Sequence, residues 1–123
     1  MITFELDDIR DLHAQLNCFI DYLQDFGVDD DGVFFSRLVA CELLTNALRH
    51  CGGTAWFSGL FSDGDIVITV RSDKGVDGLK IPTLPDALQE SGRGLYIINA
   101  VSDGNVVFDG GNVTVTLKKE FKL

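Results

Sequence analysis

Apolar residues recur along the chain with two periods, and the switches between them mark its elements. Ile2, Phe4 and Leu6 alternate with polar neighbours over Met1–Leu6, which predicts a short strand. Ile9, Leu12, Leu16, Phe19, Ile20, Leu23 and Phe26 then recur every three or four residues, the spacing of one helix face. Asp7 or Asp8 suits the N-cap of that helix, Asp11 its first turn, and Gly27 its stop. Asp29–Asp31 reads as a turn and N-cap for the next helix rather than a calcium loop, which needs more alternating ligands. That helix spans Val33–Cys51 and ends at Gly52–Gly53. Thr54–Phe61 and Asp65–Arg71 predict two strands joined by Ser62–Asp63–Gly64, a hairpin signal. Ser72–Gly78 is polar, and Leu79–Ser91 holds both prolines, Pro82 and Pro85, with a weak helical fragment at Asp86–Glu90, so a mobile loop is expected there. Gly92–Arg93–Gly94 opens a helix, Leu95–Val101, and Val106–Phe108 with Val113–Lys119 form a last hairpin across Asp109–Gly110–Gly111.

The predicted order is therefore β, α, α, β, β, loop, α, β, β. Tight turns between neighbouring strands imply a mixed, mostly antiparallel sheet. Three helices are too few to cover both of its faces, so they share one. The expected fold is an α+β two-layer sandwich, a single domain over residues 1–123.

Within Val33–Cys51 the polar positions differ from those of an ordinary solvated helix. Glu42, Asn46 and His50 stand at i, i+4 and i+8, drifting only about 40° per step, so an α-helix gathers them into one stripe. Thr45 and Arg49 flank it. Ala40, Cys41, Leu43, Leu44, Ala47, Leu48 and Cys51 fill the opposite arc. A carboxylate, a carboxamide and an imidazole in line suggest a site, although each has a plainer reading. Glu42 alone would pass for a solvated carboxylate. Asn46, a poor helix former, needs only a buried polar contact to explain it, and His50 a hydrogen bond at the helix end.

Composition narrows the partners. Hydrophobic residues make up 46% of the chain and nine are Phe, which supports a packed core without disulfides. The three cysteines, Cys18, Cys41 and Cys51, lack metal-ligand spacing and read as buried free thiols of a reducing compartment. No apolar stretch approaches a membrane span and the acidic N-terminus is unlike a signal peptide, so a cytoplasmic location is expected. A net charge of −9 argues against a nucleic-acid partner, which needs a basic footprint. It leaves room for a single nucleotide held by backbone N–H groups, a few local cations and Mg2+. Phe34, Phe35, Trp56 and Phe61 are placed either in the core or at the face of a homodimer.

Three separated segments carry a resemblance. Glu42-Leu-Leu-Thr-Asn46-Ala-Leu-Arg-His50 resembles the N box of the GHKL, or histidine-kinase-like, ATPases. Arg71-Ser-Asp73-Lys-Gly75 resembles their G1 box, and Glu90-Ser-Gly92-Arg-Gly94-Leu-Tyr-Ile-Ile their G2 box. A lone G-x-G or D-x-G is weak; the three in this order, on a helix, past a strand and opening a helix, are specific. Within the superfamily the wording is most similar to the anti-sigma-factor subgroup of small serine-protein kinases. The match covers about Val33 to Lys119. The chain contains no phospho-acceptor helical hairpin, so a complete sensor histidine kinase is not expected.

The resemblance implies ATP and Mg2+ as cofactors. Asn46 would supply the metal's side-chain oxygen, in keeping with the few protein ligands Mg2+ takes. Glu42 would act as the base. Asp73 would accept from the exocyclic amine of adenine. Gly75 would let the backbone approach the base, and Gly92 and Gly94 the phosphates. Arg93, in preference to Lys74 or Lys80, would supply the local cation, and His50 would help position phosphate. Asn112, Thr114 and Thr116 offer water-mediated contacts to adenine. The implied partners are a STAS-like anti-anti-sigma factor and a sigma factor. One departure stands out: Asp77 occupies the place of the second G1 glycine, with Gly78 one position late. That favours a second expectation, a partner-switching module of the same fold that transfers no phosphate.

Overall fold

A computed structural model describes residues 1–51, 53–72 and 93–118, and for His50, Cys51, residues 93–96 and Lys118 the backbone alone. The elements run β1 (Ile2–Leu6), a 3-10 turn (Ile9–Asp11), α1 (Leu12–Asp25), α2 (Asp30–Asn46), a π turn (Ala47–Cys51), β2 (Ala55–Ser62), β3 (Asp65–Ser72), α3 (Arg93–Val101), β4 (Val106–Asp109) and β5 (Asn112–Lys118). The predicted loop at 79–91 lies outside the described residues. The strands form one five-stranded sheet in the order β1-β2-β3-β5-β4. Every described pairing is antiparallel. The fold is the expected α+β sandwich.

Turn chemistry sets the register. Asp63 and Gly64 both have positive φ, 53° and 84°, the pair a two-residue type I′ hairpin requires, and Ser62 sits opposite Asp65 as a result. Once that register is fixed, Ala55, Phe57, Ile66, Ile68 and Val70 all point to one side and are buried, joined by Val113, Val115 and Leu117 of β5. They meet Leu16, Phe19 and Leu23 of α1 and Val39, Ala40, Leu43, Leu44 and Ala47 at the end of the second helix.

Two contacts lock α1 to β2. The Phe19 ring lies so close over Gly59 that a Cβ there would stand 2.3 Å from a ring carbon. Glycine is required at this position for space, since its φ is not positive. Past the end of the β1 pairing, the Phe61 N–H donates to the Tyr22 hydroxyl at 3.0 Å. Helix α1 is shorter at both ends than its apolar pattern, and Ile9 and Phe26 are left 49% and 53% exposed. Asp8 caps the 3-10 turn before it, where its side chain accepts from the Arg10 N–H at 2.9 Å and holds the guanidinium as well; the N-cap position of α1 itself is Asp11, without a side-chain capping bond. Asp29 caps α2 in the same way through the Gly32 N–H, 2.7 Å away.

Helix α2 is the middle of the helical layer. It packs on α1, on β3 and β5, and on α3. Arg37 donates to the Asn17 side chain of α1 at 3.1 Å. Gly32, Ser36 and Ala40, four residues apart and all buried, give it a slim face for such crowded surroundings.

Candidate functional site

The central helix departs from its expected form where its unusual stripe lies. The α conformation ends at Asn46, and Ala47–Cys51 continues as a π turn. Four residues overshoot a full α turn but fall short of a π turn. The backbone of His50 therefore lags the Asn46 direction instead of leading it, and the steady drift expected along Glu42, Asn46 and His50 is broken. The junction also accounts for Asn46. A residue with poor helix propensity occupies the last α position, where the hydrogen-bond pattern changes.

Glu42 and Asn46 lie one turn apart on α2 and both are half-buried. Among the described residues neither side chain makes a hydrogen bond or ion pair. Two oxygen-bearing groups thus share a helix surface without being engaged by any described side chain. Cys41 beside them has its thiol pushed up, first by burial; Glu42 adds to the rise and Arg37 opposes it.

The other predicted residues divide into two sets. Asp73, Gly75 and Gly92, together with Lys74, Asp77, Gly78 and Lys80, lie outside the described residues. Arg93 and Gly94 are the first two residues of α3, described by backbone only. What the structure does position are the elements that carry them. The π turn packs against β3, and α2 packs against α3. Strand β3 ends at Ser72, which is 3% exposed and whose N–H donates to the Gly111 carbonyl at 3.0 Å. The last described residue before Asp73 is therefore a fixed, buried point of the sheet.

Two expectations change, and one left open is now described. Asn112, Thr114 and Thr116 alternate with Val113, Val115 and Leu117, which face the helices, so they stand on the opposite face of the sheet from α2. The Thr114 hydroxyl is paired there with that of Thr69 at 3.2 Å. Cys18 is exposed rather than buried, because it falls on the side of α1 away from Leu16, Phe19 and Leu23; Cys41 is half-buried. Among the aromatic residues left open, Phe34 is 61% exposed. Phe35 is half-buried edge-on against it, Phe61 is half-buried against Phe26, and Trp56 stands half-buried on the outer face of the sheet.

The motif reading also passes over a cleft. An open hollow of about 460 Å3 lies beside the π turn, lined by Asp7, Asp8, Ile9, Thr45, Leu48, Arg49 and Gly53. Its acids are partly committed, since the two-residue reach of Arg10 to Asp8 holds that carboxyl below its ordinary range. Arg49 is the cation that motif matching misses. Its signal in the sequence is spacing: Thr45 and Arg49 are one turn apart on the flank of the Glu42–Asn46 stripe.

Fold and helix together define a class: a two-layer α+β sandwich whose central helix presents a carboxylate and a carboxamide one turn apart. No family model matches the chain, and no curated protein matches it either. Among the described residues no helix is long and apolar enough to cross a membrane.

Proposed function

We propose that this chain is an ATP-binding regulatory domain of the GHKL type, an anti-sigma-like serine/threonine-protein kinase. One observation carries the reading. The helix bearing Glu42 and Asn46, neither engaged by a described side chain, packs against both the strand that precedes Asp73 and the helix that Arg93 and Gly94 begin. Those are the three places from which the resemblance draws its pocket. The donor set fits the group as well. Asn46 supplies a neutral oxygen of the kind Mg2+ accepts singly, and Glu42 lies one turn away on the same helix.

In this reading Asn46 holds Mg2+, Asp73 selects adenine, and Gly75 admits the base. Gly92, Arg93 and Gly94 hold phosphates at the N-terminus of α3, and His50 helps to position them. ATP, when bound, supplies the phosphoryl group. Glu42 accepts the proton of an acceptor serine hydroxyl. That serine belongs to a STAS-like anti-anti-sigma partner, and a sigma factor is the protein sequestered in its absence. The location that goes with this role is the cytoplasm. Asp77, in place of a glycine, favours the second reading, in which the same pocket binds nucleotide weakly and the domain switches partners without transferring phosphate.

Thermal melting separates these outcomes. ATP with Mg2+ is expected to raise Tm, and Asp73→Asn to abolish the rise. Glu42→Ala is expected to keep the rise and lose phosphate transfer to a STAS-like protein. Absence of any shift at millimolar ATP rejects both readings; a shift without transfer to any such partner leaves the switching module.

A further inference from the structure

The proposed function uses the end of α2 that carries Asn46, and the opposite end has a surface of its own. There the end of α1, the start of α2 and the tip of the β2–β3 hairpin come together. Phe26, just past α1, is 53% exposed. Its ring centre lies 4.9 Å from that of Tyr22 and 5.6 Å from that of Phe61. The three rings form an aromatic ledge, and its surroundings are acidic. Between Phe19 and Phe34 the chain carries Asp21, Asp25, Asp29, Asp30 and Asp31 with no Lys, Arg or His, and the hairpin tip adds Asp63. The last turn of α1 holds no basic residue, so Asp25 meets the negative end of that helix dipole without a cation from its own helix.

The same chain carries the complement. Strand β5 ends at this pole, where Lys118 stands opposite Asp65. Beyond it follow Lys119, Glu120, Phe121, Lys122 and Leu123. Residues 118–123 thus hold three of the ten basic residues of a chain whose net charge is −9, together with two large apolar ones. Ile66 stands between Phe61 and Leu117 in one row of the sheet, which sets Phe61 and Leu117 roughly 10 Å apart. Phe121 comes four residues after Leu117 and reaches roughly 13 Å from it, far enough to return to the ledge.

We propose that this ledge is the docking site of residues 119–123 of the same chain. Phe121 seats against Phe26 and Phe61, which removes apolar area from water where the end of α1 leaves a ring open. Lys119 and Lys122 lie among the aspartates and supply the cation that the last turn of α1 lacks. Charge argues against the same ledge of a second copy as the occupant. Two ledges face to face would set Asp25 and Asp29–Asp31 against the same acids, and like charges facing each other suppress that mode. The clasp ties the final strand to the helical layer at the end of α2 remote from Asn46, and it needs no nucleotide.

Backbone relaxation measured by NMR on the nucleotide-free full chain tests this. Residues 120–122 are expected to have order parameters near those of the strands, about 0.8, where a free tail gives less than about 0.6. Phe26→Ser, and separately Lys119→Glu together with Lys122→Glu, are each expected to bring these residues below about 0.6 and leave β3 and β5 unchanged. In a denaturant cycle Phe26→Ala and Phe121→Ala are expected to couple by about threefold or more in the folding constant. Wild-type residues 120–122 that move freely overturn the proposal. So does order that survives both sets of substitutions, or strict additivity in the cycle. Order that fades on dilution from about 500 µM to about 50 µM assigns the ledge to the tail of a second copy, which overturns it as well. Should Phe26→Ser not fold, the wild-type values and the lysine pair decide.

Discussion

The two faces of the sheet are built from the same strands by alternate residues, yet they obey different rules. On the helical side Ile66, Ile68, Val70, Val113, Val115 and Leu117 are all at most 3% exposed, and each touches helix or neighbour. On the other side Thr69, Arg71, Asn112 and Thr114 interact mainly across strands, through one hydroxyl pair and one guanidinium on an indole. Stability resides on the first face because apolar area removed from water is worth roughly 25 cal/mol per Å2, while exposed polar pairs exchange protein partners for water at little net gain. The outer face is therefore free to change without unfolding the chain.

Substitutions can break that contrast. Phe19→Ala removes the ring that covers Gly59 and stands edge-on to Phe57 at 5.1 Å. It is expected to cost about 3–5 kcal/mol in denaturant unfolding, the largest effect here. Gly59→Ala acts on the same contact from the strand side and is expected to cost about 1–3 kcal/mol. Combined with Phe19→Leu, which vacates the space the new Cβ needs, its cost is expected to fall well below the sum of the two single changes. Strict additivity in that cycle would show that the ring and the glycine do not determine one another.

The outer face should respond an order of magnitude less. Thr69→Ala, which unpairs the Thr114 hydroxyl, is expected to cost about 0.2–1 kcal/mol. If it proved as damaging as Phe19→Ala, the outer face would have to carry part of the core's burden.

The smallest expected effect concerns the two described thiols, one on an open helix surface and one against the core. Cys18 is exposed and Cys41 half-buried with its thiol pushed up by burial, so a thiol reagent at neutral pH is expected to modify Cys18 first. A raised native value means that the unfolded chain loses this proton first as pH rises. Stability should thus be full below the ordinary thiol range and decline as pH climbs through the native value. Cys41→Ala is expected to flatten that alkaline decline in a pH series of melting curves.

Most of the fold is legible in the sequence because its signals are local. Alternation marks the strands, Asp63–Gly64 requires a tight hairpin, and Leu12 to Leu23 trace one helical face. The position of β5 between β3 and β4 is less accessible, since no local pattern says which strand Val113, Val115 and Leu117 will join. The π turn is hidden for a different reason: over five residues an apolar spacing of three or four fits either helix type. Cys18 is a case of residue type outweighing position, for the helical wheel already sets it opposite Leu16. At the candidate site, Glu42 and Asn46 are legible from spacing. The sidedness of Asn112, Thr114 and Thr116 follows only once β5 is known to bury their neighbours against the helices.

The π turn fixes a count as well as a shape. A π segment spans its hydrogen-bonded ring with one residue more than an α-helix uses. A homologue whose second helix runs unbroken into the following strand should therefore be one residue shorter between Asn46 and Gly53. Its alignment gap belongs within 47–51, since a gap placed after Ala55 would turn Phe57 and Gly59 outward and set every later residue of the strand on the wrong side.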